Sequence, residues 1–130
     1  MAIKQSSLSA GAIIRDILLT DEEVKKRTNK VFPIAIDNAQ LPYILYRRAS
    51  LSHDATKQGL PGADTIIVEV VCYTAKYAEG IELAEAVRNA LDYAQAKKQG
   101  LSMRSCMLVD SEEAYDDDAF IQHLSFQVRI

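Results

Sequence analysis

The closing stretch AFIQHLSFQVRI, residues 119–130, alternates almost without fault. Phe120, Leu124, Phe126, Val128 and Ile130 fall on one face, and His123, Ser125, Gln127 and Arg129 on the other, the period-2 pattern of a strand with one buried face. Its second face must meet water or another chain. Asp64–Thr74 reads as a second strand, with Ile66, Val68, Val70 and Cys72 facing one way and Ile67, Val71 and Tyr73 the other, interrupted only by Glu69. Both of its faces read as mostly covered. Tyr43–Ser50, YILYRRAS, is rich in aromatic and branched residues and follows Pro42, a residue tolerated at a strand entry. Leu101–Val109 reads as a further strand with Met103, Met107 and Val109 on one face.

Helical spacing appears twice. Ile13, Ile14, Ile17 and Leu18 recur at three and four, predicting a helix over about residues 7–19, capped by a serine and closed near Thr20. Leu83, Ala84, Val87, Ala90, Leu91 and Ala94 form a longer stripe opposite Glu79, Glu82, Glu85, Asn89 and Asp92, predicting a helix from Lys76 to about Ala96 that packs on the sheet. Gly100 suits its exit. Between the two, TDEEVKKRT has Thr20 or Asp21 as a cap and Glu23 at capping-box distance from Thr20, predicting a short solvated helical turn. In KVFPIAI, Pro33 denies a ladder hydrogen bond and places the segment at a sheet edge or in a loop. Residues 37–42, 52–64 and 110–118 read as turn or loop, the second a long hairpin-like connection and the third an acidic turn.

This order predicts one domain over residues 1–130 of the α+β class: a mainly antiparallel sheet of about four strands, covered on one face by a long helix and an N-terminal helix. At 130 residues and 48% hydrophobic the chain supplies one core and not two. No apolar run approaches a membrane span, and MAIKQSSLSAG lacks the basic-then-apolar order of a secretory signal, so a soluble cytosolic protein is expected. A net charge of −3 with interspersed signs gives no basic stripe for nucleic acid.

Candidate chemistry is sparse. Cys72 and Cys106 are unpatterned and sit in apolar runs, where cysteine behaves as a small hydrophobe. His53 and His123 have no partner at ligand spacing. Glu112, Glu113, Asp116, Asp117 and Asp118 lack the order of a calcium loop, and Gly59, Pro61 and Gly62 form no phosphate cradle. No catalytic, metal or cofactor-binding residue is assigned, and no cofactor is expected. Arg47 and Arg48 beside Tyr43 and Tyr46 are residue types that serve protein interfaces, or a stacking platform for single strands, or plain sheet packing.

LPYILYRRAS at 41–50, ADTIIVEVVCYTAKYAEGIELAEAVRNAL at 63–91 and FIQHLSFQVRI at 120–130, with KVFP at 30–33, resemble the tail-completion proteins of long-tailed bacteriophages, in that order and over nearly the whole chain. The resemblance implies a structural virion protein of a phage or prophage, assembled in the bacterial cytoplasm. It implies a ring, hexameric in that family, which ends the tail tube and joins it to the head connector, and it carries over no catalytic residue. A head-to-tail ring needs two different patches per subunit and rigid loops rather than a pocket. On that view the loop 52–62, with Lys57 and Leu60, and the acidic turn, with Asp116 and Asp117, contact other subunits or the tube, joined by Arg47 and Arg48. An acidic lining would let DNA pass without specific binding. The rival expectation is a small cytosolic ligand-binding or adaptor domain with no virion role.

Overall fold

The computed structural model describes residues 3–54 and 63–130. Near the N-terminus, Ser6 Oγ accepts from Leu8 N at 3.3 Å and caps a 3-10 turn, Ser7–Ser9, which leads into α1, Ala10–Thr20. Helix α1 buries Ala10, Ile13, Ile14 and Leu18. Asp21, rather than Thr20, caps α2, Glu22–Lys25: its Oδ2 accepts from Glu23 N and Val24 N, each at 3.1 Å. This turn is not simply solvated, because Val24 is fully buried and pins it to the core.

The main sheet has five strands rather than four, in the order β1-β2-β3-β7-β6: β1 is Val31–Pro33, β2 Tyr43–Asp54, β3 Ala63–Thr74, β6 Ser105–Asp116 and β7 Ala119–Arg129. It is mixed, since β1 runs parallel to β2 while the other pairings are antiparallel. Pro33 ends the β1 edge strand, where its missing N–H costs no ladder bond. A second sheet pairs β4, Ala96–Lys98, with β5, Leu101–Met103.

Alternation sorts the main sheet into two faces. Ile66, Val68, Val70 and Cys72 of β3 and Phe126 and Val128 of β7 are fully buried, and they meet Leu83, Val87 and Leu91 of helix α3, Tyr77–Leu91, together with α1. Burying each large aliphatic or aromatic side chain contributes about 1.5–3 kcal/mol, so this layer is the chief favourable term. Thr74 and Gln122 are the polar members of that face, and both are satisfied: Thr74 Oγ1 donates to Lys76 O at 2.8 Å and Gln122 Nε2 to Glu113 Oε2 at 2.9 Å. The opposite face of β3, read from the sequence as covered, is only half-buried, because no element of the described chain packs over it.

Four further expectations change, each through a backbone bond. Helix α3 ends at Leu91 instead of Ala96, since Tyr93 N donates to Cys106 O at 2.6 Å and Asp92 Oδ1 accepts from Leu108 N at 3.0 Å, drawing the chain onto the edge of β6. Gly100, at φ 86, is not a helix exit but half of the β4–β5 turn, with Gln99 at φ 50. The strand foreseen at 101–109 breaks at Arg104, whose N–H bonds Arg129 O and switches the chain from the small sheet to the large one. Met103 then faces the core while Met107 and Val109 are exposed. Residues 110–118 are mostly strand: β6 continues to Asp116 and only Asp117 and Asp118, both at positive φ, make the turn.

Candidate assembly surface

The open face of the sheet has an apolar border around a charged centre. Tyr43 and Tyr73, opposite each other on β2 and β3, stack with ring centroids 4.7 Å apart, and Val71, Leu45 and Ile121 lie beside them in a hollow of about 260 Å³. One pair further along, Arg47 stands directly across from Glu69 and donates twice, Nε to Oε2 at 3.0 Å and an η nitrogen to Oε1 at 3.1 Å. His123 Nε2 approaches the same Glu69 oxygen at 3.1 Å from β7. The Arg47 guanidinium, helped by His123 and opposed by partial burial, holds the Glu69 carboxyl below its ordinary value. Glu69 thus ties three strands together on a face that no described element covers.

Two hairpins leave the sheet at opposite ends. The β2–β3 hairpin remains paired to Asp54 and Ala63, where His53 Nδ1 lies 2.5 Å from Asp64 Oδ1. Ser7 first, then His53, holds the Asp64 carboxyl below its ordinary value. The β6–β7 hairpin closes through Asp117 and Asp118, and Tyr115 donates to Asp118 Oδ1 at 3.2 Å. Below the turn, Tyr77 donates to Glu113 Oε2 at 3.0 Å, anchoring the hairpin to α3. Strand β6 is a sheet edge: Tyr93 and Asp92 close its first residues, and from Ser111 to Asp116 its side chains are exposed.

The residues singled out from sequence divide among these features. Arg47 and Arg48 are not brought together: Arg47 lies on the open face, while Arg48 reaches the helix side and donates to Leu8 O at 2.9 Å. Asp116 and Asp117 stand exposed at the tip of the β6–β7 hairpin. Lys57 and Leu60 lie outside the described residues. Glu69 and Tyr73 were not singled out, and His123 was weighed only for a catalytic or metal role. Their signal was a single carboxylate in an apolar strand, and its partner depended on a β2–β3 register the sequence does not print.

Conventional site chemistry does not assemble among the described residues. No three His, Cys, Asp or Glu side chains converge to hold a metal, and no helix is long and apolar enough to cross a membrane. Cys72 and Cys106 are free and buried, with β7 between their strands, and desolvation pushes both thiols up to about 12. The cleft lined by Arg27, Pro42, Thr74, Glu79, Glu82 and Leu83 carries no nucleophile paired with a base.

What the described residues present is surface: an α+β fold with an open sheet face, an exposed edge strand and two hairpins. The chain belongs to the tail completion protein gp17 family, whose match spans residues 12–130. It is accordingly a structural tail protein of the bacteriophage virion. A chain in the solved structure titled "Virion of native gene transfer agent (GTA) particle" shares its fold at TM-score 0.79 and 18% identity, covering 95% of this chain and 98% of that one. No curated protein matches the chain.

Proposed function

We propose that copies of this protein form a ring at the head-proximal end of a phage or prophage tail, hexameric as the family resemblance implies, ending growth of the tail tube and joining it to the head connector. The observation that carries this reading is the tail-completion family match over residues 12–130. The physical design supports it. A five-stranded sheet packed on α1 and α3 is rigid enough to present fixed patches, and its open face and hairpins offer the separate surfaces a closed head-to-tail ring requires. The interface takes in Arg47 on the open face, Arg48 where it braces the N-terminal turn, Lys57 and Leu60 in the β2–β3 connection, and Asp116 and Asp117 at the hairpin tip. The molecule performs no catalytic step in this role. The net charge of −3 lets DNA pass the ring without the counterion-release gain that would hold it there.

Removing the gene from its phage tests the proposal: heads and tails should accumulate separately, with tubes of irregular length. Normal yields of joined particles would refute it. Restoring the gene with Lys57→Ala and Leu60→Ala together should give folded protein that fails to rescue joining, whereas full rescue would remove that connection from the interface.

A further inference from the structure

Exposed apolar side chains gather at two edges of the main sheet. Tyr77 and Tyr115 are accounted for within the chain, since each donates to a carboxylate and packs on Phe120. Leu8 and Ile34, 62% and 71% exposed, stand at the β1–β2 edge, where with Pro33 and Tyr46 they bound a hollow of about 280 Å³ that Arg47 and Arg48 also line. Tyr93, 78% exposed, stands at the β6 edge, with exposed Met107 and Val109 on the strand beside it. Val109 is the extra residue at which the β6–β7 register shifts, and such bulges re-aim a side chain. Ile34 and Tyr93 also share a backbone conformation, φ 63. The left-handed region is costly for a β-branched or bulky residue, and the other non-glycine residues in it, Asn38, Gln99, Asp117 and Asp118, are polar residues of turns and bends. Ile34 and Tyr93 therefore hold large apolar side chains out to solvent from a strained backbone, a cost that no contact among the described residues offsets.

Register places these two edges at one level. Arg47, Glu69, Ser125 and Asp110 form a single row across β2, β3, β7 and β6. At its β2 end Ile34 N donates to Tyr46 O at 2.8 Å and Arg48 to Leu8 O at 2.9 Å. At its β6 end Val109 directly precedes Asp110, and Tyr93 N donates to Cys106 O at 2.6 Å a few residues along the strand. The row spans three strand spacings, about 14 Å at ~4.8 Å each. The charges at its ends are opposite and unspent among the described residues: exposed Arg48 bonds a backbone carbonyl and no carboxylate, and exposed Asp110 accepts from Ser111 N at 2.9 Å and from no cation.

We infer that neighbouring copies join edge to edge, Tyr93 and Val109 of one seating in the hollow bounded by Leu8 and Ile34 of the next, with Asp110 facing Arg48. This rests on the ring reading above and names the surfaces that would make it. The occupant is a second copy because one chain carries both halves of the fit, unlike in shape, opposite in charge and level with each other, which is what a heterologous contact repeating around an axis requires. Pairing like edges would set Asp110 against Asp110 or Arg48 against Arg48 and leave the hollow unfilled. A few side chains fall short of the roughly 20–30 residues a side of a stable free pair, so the contact should be weak between two copies and secured by closure of the ring.

The test places Ile34→Cys and Tyr93→Cys in one full-length chain, oxidises it in solution and on tail tubes, and reads the products on a denaturing gel. Cys72 and Cys106 are buried and do not compete. The two edges are too far apart for a bridge within one chain, which needs Cα atoms within about 7 Å, so copies should link into a ladder that ends at the ring's subunit number. Neither single variant should give a ladder. In parallel, Tyr93→Gly relieves the left-handed strain and should hold or raise the melting temperature while weakening self-association about tenfold or more, a split that a merely structural role for Tyr93 would not produce. Assembly without the ladder, covalent dimers from Tyr93→Cys alone, or a Tyr93→Gly protein that associates like wild type would overturn the edge contact and leave the ring standing. A Tyr93→Gly protein that self-associates normally yet no longer binds tubes would give this edge to the tube protein and overturn the contact as well. Absence of association both in solution and on tubes would overturn both.

Discussion

Glu69 shows how a single side chain organises a surface that no helix covers. It is only 19% exposed, accepts two bonds from Arg47 and meets His123, so the cross-strand charges hold β2, β3 and β7 in one register on the open face. Glu69→Gln keeps the shape and removes the charge, and should lower stability by about 0.5–1 kcal/mol at neutral pH, read by thermal unfolding. The pH dependence has a definite sign. The folded pKa lies below the unfolded one, so the contribution is present above the ordinary carboxylate value of 4.5 and is lost as pH falls through the lower folded value. The gap between wild type and variant should therefore close in acid; a gap that stayed constant from pH 7 to pH 3 would show that the charge is not what stabilises the site. Arg47 stood out in the sequence as a residue type that serves interfaces, and Glu69 as an interruption. Their meeting was not, because it depends on which β2 residue stands opposite which β3 residue.

At the scale of elements, the joint between β3 and α3 is closely packed. Thr74 is buried, donates to Lys76 O at 2.8 Å, and lies where a Cβ on Gly80 would come within 2.9 Å of its Oγ1. Alanine normally improves a helix interior by about 1 kcal/mol over glycine, yet here the close approach should reverse the sign. Gly80→Ala is expected to cost about 1–3 kcal/mol, and the cost should shrink in a Thr74→Ala background because the two positions share one contact. A Gly80→Ala protein melting above wild type would contradict this packing. Strong periodicity made the elements themselves legible: α1, the stripe of α3 and the alternation of β3 and β7 all follow from apolar spacing. What escaped was governed by bonds between distant segments. Tyr93 and Asp92 bonding to β6 ended α3 early, Arg104 switched sheets, and pairing with β7 turned an apparent acidic loop into strand. Polar composition alone reads such a strand as a turn, since an edge strand with both faces in water has no apolar alternation to announce it.

Across the whole molecule, the described residues gather no site chemistry in a pocket, and the proposed role rests on surfaces. Among the described residues, the helices bury one side of the sheet and leave the other open, the hairpins extend it at both ends, and the acidic β6–β7 hairpin stands at one edge. Membership in the tail completion family identifies the structure these surfaces serve, and the order of segments from KVFP to FIQHLSFQVRI made that family readable from sequence. The surfaces expected to make contacts were less readable, because Arg47 and Arg48, adjacent in the chain, fall on opposite faces. The most direct measurement is electron cryomicroscopy of intact particles from the phage that encodes this chain, with density resolved at the junction of head and tail. A closed ring of copies should sit on the last turn of the tail tube, with the β6–β7 hairpin of each touching its neighbour. Density showing this chain as isolated copies elsewhere in the particle, or no trace of it in particles whose tails are complete, would contradict it.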